Sequence, residues 1–92
     1  MSDSNDFYEN LRTKLEETTD FPTEYMYKFI IPSDGEVKVL ENVFSHIGAV
    51  IKSKKSKTGK YMSFTILVKM KSANAIIEKY EEVSKIKGVI SL

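Results

Sequence analysis

The chain has 92 residues, of which 41% are hydrophobic and 29% charged, with a formal net charge of +1 and no cysteine. That length suits one small domain with a modest core, and the lack of thiols excludes disulfide staples, thiolate metal sites and cysteine nucleophiles. No apolar run reaches the length needed to cross a bilayer, and the opening MSDSNDFYENL lacks the regions of a secretory signal, so a cytoplasmic protein without membrane association is expected.

Charge is distributed unevenly along the chain. Residues 1–41 hold ten acids and four bases, residues 42–77 hold seven lysines and no acid, and residues 78–92 balance three against three. Asymmetry of this kind can mark an interaction surface.

Residues 1–6 read as a frayed start. Phe7, Leu11 and Leu15 then recur at i, i+4 and i+8 beside Tyr8, a narrow apolar helical stripe. Asn5 or Asp6 is the expected cap, and Thr18, Thr19 and Asp20 end the helix before Phe21-Pro22, since a residue preceding proline avoids helical backbone. Residues 24–31, EYMYKFII, are aromatic and branched and predict a strand. Tyr25, Tyr27, Phe29 and Ile31 share one face; Met26, Lys28 and Ile30 share the other. Pro32 is expected to stop this strand. Ser33 or Asp34, with Glu36 in reach, is expected to cap a helix carrying Val37, Leu40, Val43, Phe44 and Ile47 inward. Gly48 is placed to end it by taking positive φ.

Residues 49–56 and 60–70 predict two strands around a turn at Thr58-Gly59. The second alternates most clearly: Met62, Phe64, Ile66, Val68 and Met70 on one face, Tyr61, Ser63, Thr65, Leu67 and Lys69 on the other. Ser72 or Asn74 opens another helix, with Ala73, Ile76, Ile77, Tyr80 and Val83 inward. Lys87-Gly88 turns into a short closing strand over residues 89–92.

After the first helix the order is β-α-β-β-α-β, the split βαβ or ferredoxin-like pattern. The fold class expected is therefore α+β: a helical extension over residues 1–20, then a single ferredoxin-like domain over residues 21–92. Right-handed crossovers put both helices on one sheet face, with strand order fourth, first, third, second. The helices cover the Phe64 face and leave the Tyr61 face open. Met26, Ile30, Tyr61 and Leu67 make that open face more apolar than a solvated one, and such a patch is usually covered. Its lid would be the N-terminal helix, through Phe7, Leu11 and Leu15, or a second subunit.

Three stretches resemble a known family. KLEETTDFPTEYMYKFI, SKTGKYMSFTILVKM and the acidic helix EKYEEVSKI, followed by a short strand, look like the YbeD-like family of small bacterial proteins of unknown function. Phe21-Pro22, Tyr27-Lys28, Gly59-Lys60-Tyr61, Ser63 and Tyr80-Glu81 are the most specific matches. The resemblance implies a ferredoxin-like fold related in shape to small-molecule-sensing ACT regulatory domains, and no established enzymatic activity. The chain departs from the family in a longer N-terminal segment and in Pro32.

No catalytic group, metal site or cofactor is expected. His46 is the lone histidine, with no second His or Cys to share a metal or build a triad. The carboxylates of Glu16-Glu17 and Glu81-Glu82 are adjacent on helices and point apart. SKTGK is not a phosphate loop, because Lys54 stands where the first glycine belongs and a strand follows instead of a helix.

Two candidate surfaces remain. The first, for an unknown protein or small-molecule partner, is Met26, Lys28, Ile30, Tyr61, Ser63 and Leu67 on the open face, with the loop over residues 32–36 beside it; a homodimer is one arrangement open to it. The second is the lysine cluster Lys52, Lys54, Lys55, Lys57 and Lys60, an anion or single-stranded nucleic-acid surface. An RNA-recognition motif stacks bases on aromatics spaced by two on its third strand, but Tyr61 is followed there by Ser63 and Thr65. Lysines on an edge strand also deter pairing with another chain. A non-enzymatic regulatory or adaptor domain is the expectation, with nucleic-acid binding as the alternative.

Overall fold

The computed structural model describes residues 3–92, with side chains from Asp6 onward. Its elements are α1 (Asp3–Thr18), β1 (Thr23–Pro32), α2 (Val37–Ser45), β2 (Val50–Lys55), β3 (Tyr61–Met70), α3 (Ala73–Ser84) and β4 (Ile90–Ser91). The strands form one antiparallel sheet in the order β2-β3-β1-β4. This is the α+β ferredoxin-like arrangement, with the strand order expected.

Alternation on β1 and β3 builds the core. Tyr27, Phe29 and Ile31 on β1 and Phe64, Ile66, Val68 and Met70 on β3 are all buried. Phe29 lies directly opposite Phe64, and Tyr27 opposite Ile66. Leu40 and Phe44 of α2 and Ile76 and Val83 of α3 close over them in one continuous cluster. The aromatic side chains interlock, with the Tyr27 ring 4.9 Å from both Phe44 and Tyr80. Tyr27 also donates its hydroxyl to the Ile76 carbonyl at 3.0 Å, which ties the central strand to α3 and satisfies a buried polar atom.

Local signals hold at most turns. Gly48, Gly59 and Gly88 take positive φ where chain reversals need it. The Ser72 hydroxyl caps α3 by accepting from the Ala75 amide at 3.1 Å.

The first strand ends at Pro32 as expected, and three other local expectations are corrected. Pro32 is itself the last residue of β1 and lies opposite Tyr61. Ser33 N–H still donates to the Lys60 carbonyl at 2.8 Å, so odd-numbered residues face β3 and the missing N–H of Pro32 is on the side where β3 does not need it. Neither Ser33 nor Asp34 caps α2. A turn closed by Gly35 N–H to the Pro32 carbonyl, 2.9 Å, delays the helix to Val37, and Glu36 occupies the cap position without a side-chain bond. The α1 helix is already formed at Asp3, which puts Asn5 and Asp6 inside it and not at its cap; of the expected frayed start, Met1 and Ser2 lie outside the described residues. The stripe on α1 is also graded: Leu15 is buried, Leu11 half-buried and Phe7 exposed.

The α1 helix packs against α3 on the helix-covered side of the sheet, with Leu15 in the main core. It does not form the lid expected of it. No membrane-length apolar helix occurs among the described residues.

Candidate interaction face

Register assembles the open face row by row. The first row is Val50, Leu67 and Met26; the second Lys52, Thr65 and Lys28; the third Lys54, Ser63, Ile30 and Ile90; the last Tyr61 and Pro32. Leu92 extends the second row, its N–H bonded to the Lys28 carbonyl at 2.9 Å. Tyr61 is 47% exposed and Met26 49%, against 1% for Phe64. Strand parity thus separates the two faces, and the face that no helix covers is the one bearing Tyr61.

All six residues of the candidate partner surface lie on this face. Met26 and Leu67 are directly opposite, as are Ile30 and Ser63, while Lys28 faces Thr65 and Tyr61 faces Pro32. Sequence reasoning missed Val50 and Ile90, both 54% exposed, and Leu92 at 70%. Their place depends on registers of β2 and β4 that periodicity in such short strands does not determine.

The lysine cluster is divided. Lys52 and Lys54 join Lys28 on the open face. Lys55 lies opposite Met62 and so takes the other parity. Lys57 and Lys60 belong to the turn between β2 and β3. Tyr61 forms a ridge between two shallow depressions there. One, of about 330 Å³, is lined by Ile30, Lys54, Lys57 and Ser63 among others. The second, of about 390 Å³, is lined by Ser33, Asp34, Gly59 and Lys60. Ser63 donates to the Lys54 carbonyl at 3.3 Å. The remaining loop, residues 32–36, meets Lys87 and Gly88 at a further shallow hollow, where the Pro32 ring packs so close to Gly88 that a Cβ there would lie 3.2 Å from it.

Among the described residues of the open face, the one side-chain carboxylate is Glu24, opposite Lys69 in the row beyond Met26 and Leu67. Inside that charged pair the face is apolar on either side of a cationic middle. It offers van der Waals area to an apolar surface and charge to an anion. It offers no base stacking beyond Tyr61, because the aromatics of β1 are in the core.

The titratable groups with altered acidity lie on the other side of the sheet. Tyr27 and Tyr80 are both pushed well above the ordinary phenol value of 10.0, first by burial. The neighbouring tyrosines add to this for Tyr27, and the hydrogen bond with Tyr25, 2.8 Å between hydroxyls, adds to it for Tyr80. Both are neutral structural phenols. His46 is exposed at the end of α2, and no cluster of three potential metal ligands exists among the described residues. Lys79 has a structural use that its sequence position does not reveal: it donates to the Val43 carbonyl at 3.0 Å, in the last turn of α2, and pairs with Glu82 at 3.1 Å.

Fold and face together define a small α+β domain with one sheet surface closed by helices and the other uncovered. Residues 16–92 match the model of the family described as Protein of unknown function (DUF493), and the chain belongs to that family. No curated protein and no solved structure matches it.

Proposed function

We propose that this domain is a non-enzymatic regulatory or adaptor module that binds a partner protein, or a small ligand at a subunit interface, through its open sheet face. The observation that carries this reading is the position of α1. With that helix packed on α3, Met26, Ile30, Val50, Tyr61, Leu67 and Ile90 lie together uncovered. Apolar surface left open in two patches, one of Val50, Leu67 and Met26 and one of Ile30, Ile90 and Tyr61, on either side of Lys28 and Lys52, is costly to leave in water and marks interaction sites. The absence of converging acid, base and nucleophile on that face weighs toward binding and away from catalysis. The likeness of the quoted motifs to the YbeD-like proteins, with their ACT-like shape, supports a regulatory role; a bacterial, cytoplasmic setting belongs to the same proposal and rests on that likeness alone.

The test is a titration of the isotopically labelled full chain with amino acids and nucleotides, with sedimentation of the same samples. Expected are amide shifts centred on Met26, Ile30, Tyr61, Ser63 and Leu67, or self-association abolished by Leu67→Glu. A strict monomer in which no compound perturbs these amides counts against the face.

A second reading is favoured by one observation: Lys28, Lys52 and Lys54 share the face with Tyr61. Non-sequence-specific binding of a single-stranded nucleic acid would use them as phosphate contacts, with affinity falling steeply as salt rises. Lys55 and Lys57, which line the depression beside Tyr61, and Lys60 would add to the field from the rim of the face. Failure of a random-sequence oligonucleotide to retain the protein at low salt disposes of it.

A further inference from the structure

Side-chain size varies sharply along β3 on the open face. Leu67 and Tyr61 stand at the two ends, and the short side chains of Thr65 and Ser63 lie between them. Lys52 and Lys28 flank Thr65 from β2 and β1, and Lys54 flanks Ser63. The middle of β3 is thus the floor of a trough with lysine banks. All three lysines are exposed, and none pairs with a side-chain carboxylate among the described residues. At each end the trough turns apolar: Met26 and Val50 flank Leu67, and Ile30 shares a depression with Tyr61.

A protein segment lying in this trough must satisfy its own backbone, because a sheet face presents side chains and no free N–H or C=O. A helix does so. Its diameter of about 10 Å matches the two strand spacings, about 10 Å together, that separate the lysine banks. Along β3 the apolar ends are about 17 Å apart, counted from Leu67 to midway between Ser63 and Tyr61. A helix covers that distance in about 11 residues. Residues i and i+11 then meet the apolar ends, while i+4 and i+7 of the same stripe lie over the lysines.

We propose that the trough binds an amphipathic helix of a partner protein, acidic at the centre of its bound stripe and apolar at both ends. This rests on the open face being the interaction surface, and it adds the chemistry of the partner. Charge complementarity selects Asp or Glu at i+4 and i+7, since apolar residues there desolvate the ammonium groups of Lys28, Lys52 and Lys54 and leave them unpaired. A nucleic acid is the poorer fit, because Leu67, Met26 and Val50 are aliphatic and give bases nothing to stack on. A second copy is poorer too. A two-fold axis through the trough sets the row of Lys28 and Lys52 against itself. The trough with its banks, roughly 20 Å by 15 Å, also falls short of the 800 Å² or so that each partner buries in a stable complex. A contact of this size belongs to the weak, transient class.

The experiment is selection, on the immobilised full chain, of a multivalent phage library of helix-forming peptides randomised at i, i+4, i+7 and i+11 of one stripe. Selected peptides are synthesised and titrated into the isotopically labelled chain. Expected are acids at i+4 and i+7, apolar residues at i and i+11, and amide shifts along Tyr61, Ser63, Thr65 and Leu67. Lys28→Glu with Lys52→Glu is expected to weaken binding about tenfold or more, and the same peptide with lysine at i+4 and i+7 to regain it on that variant. Lys38→Glu, on α2, leaves binding unchanged. The wild-type arm decides the matter if the double variant does not fold. The proposal is overturned if the enriched peptides are neutral or basic at i+4 and i+7, which leaves the open face a binding surface with a different partner. It is equally overturned if a random-sequence oligonucleotide shifts these amides and no peptide does, or if the chain forms a dimer that Leu67→Glu dissociates. If no peptide is enriched but amino acids or nucleotides shift the same amides, only the acidic helix is refuted. If nothing shifts them, the reading of the open face falls with it.

Discussion

The two faces of the sheet are built from the same strands by the same alternation, yet they end in opposite surroundings. On one, Tyr27, Phe29, Phe64 and Ile66 are fully enclosed by α2 and α3. On the other, Met26, Tyr61, Val50 and Ile90 keep about half their surface in water. The difference does not lie in hydrophobicity alone, since both faces are apolar at their centres or ends. It lies in what is available to cover them: three helices, all on one side. The closed face supplies stability. The open one has surface to spend on a partner.

The comparison can be broken first by truncation. Phe64→Ala empties a site in the middle of the closed face and is expected to cost about 3–5 kcal/mol. Tyr61→Ala, three residues away on the same strand, is expected to change stability by no more than about 0.5 kcal/mol. Urea unfolding of the two variants measures both. Comparable losses would mean that the Tyr61 face is covered after all.

Tyr27→Phe sharpens the contrast. It removes the hydroxyl bonded to Ile76 and is expected to cost about 1 kcal/mol at neutral pH. Its effect reverses in alkali. In the unfolded chain the phenol ionises near its ordinary 10.0, while in the folded chain burial holds it protonated to higher pH. The unfolded state therefore loses its proton first. The stabilisation is complete below about pH 10 and falls as pH rises above it. Urea midpoints from pH 8 upward should decline more steeply for wild type than for Tyr27→Phe or Tyr80→Phe. Equal slopes would contradict the burial of these phenols.

Lys79→Met tests how α2 is fastened to α3. Loss of the bond to the Val43 carbonyl should cost about 1 kcal/mol, seen as a lower urea midpoint with faster amide exchange in the last turn of α2. The smallest effect on stability belongs to the open face: Lys52→Glu with Lys54→Glu is expected to leave the midpoint within about 0.5 kcal/mol. The same pair should lower retention on an anionic column more than Lys57→Glu with Lys60→Glu does, because Lys52 lies in the same row as Lys28 and Lys54 in the next, whereas Lys57 and Lys60 stand at the turn.

Much of this was legible in the residues. The period-two pattern of MSFTILVKM places Phe64 inward and Tyr61 outward, and side-chain direction on a strand leaves no third choice. Gly48, Gly59 and Gly88 mark reversals because they alone accept positive φ without strain. Ser72 caps α3 through its own side chain. These are local consequences of covalent geometry, so a single segment carries them.

Other features needed the assembled molecule. Leu11 and Leu15 define an apolar stripe, but the stripe fits the open sheet as readily as α3; which surface it takes depends on the competition between distant partners. Val50 and Ile90 join the open face only through registers with β3 and β1. Five lysines clustered in sequence divide between a face, the opposite parity and a turn. Alternation dictates which way each side chain points, whereas what it meets is decided by segments far away in the chain, whose packing free energies no local pattern contains.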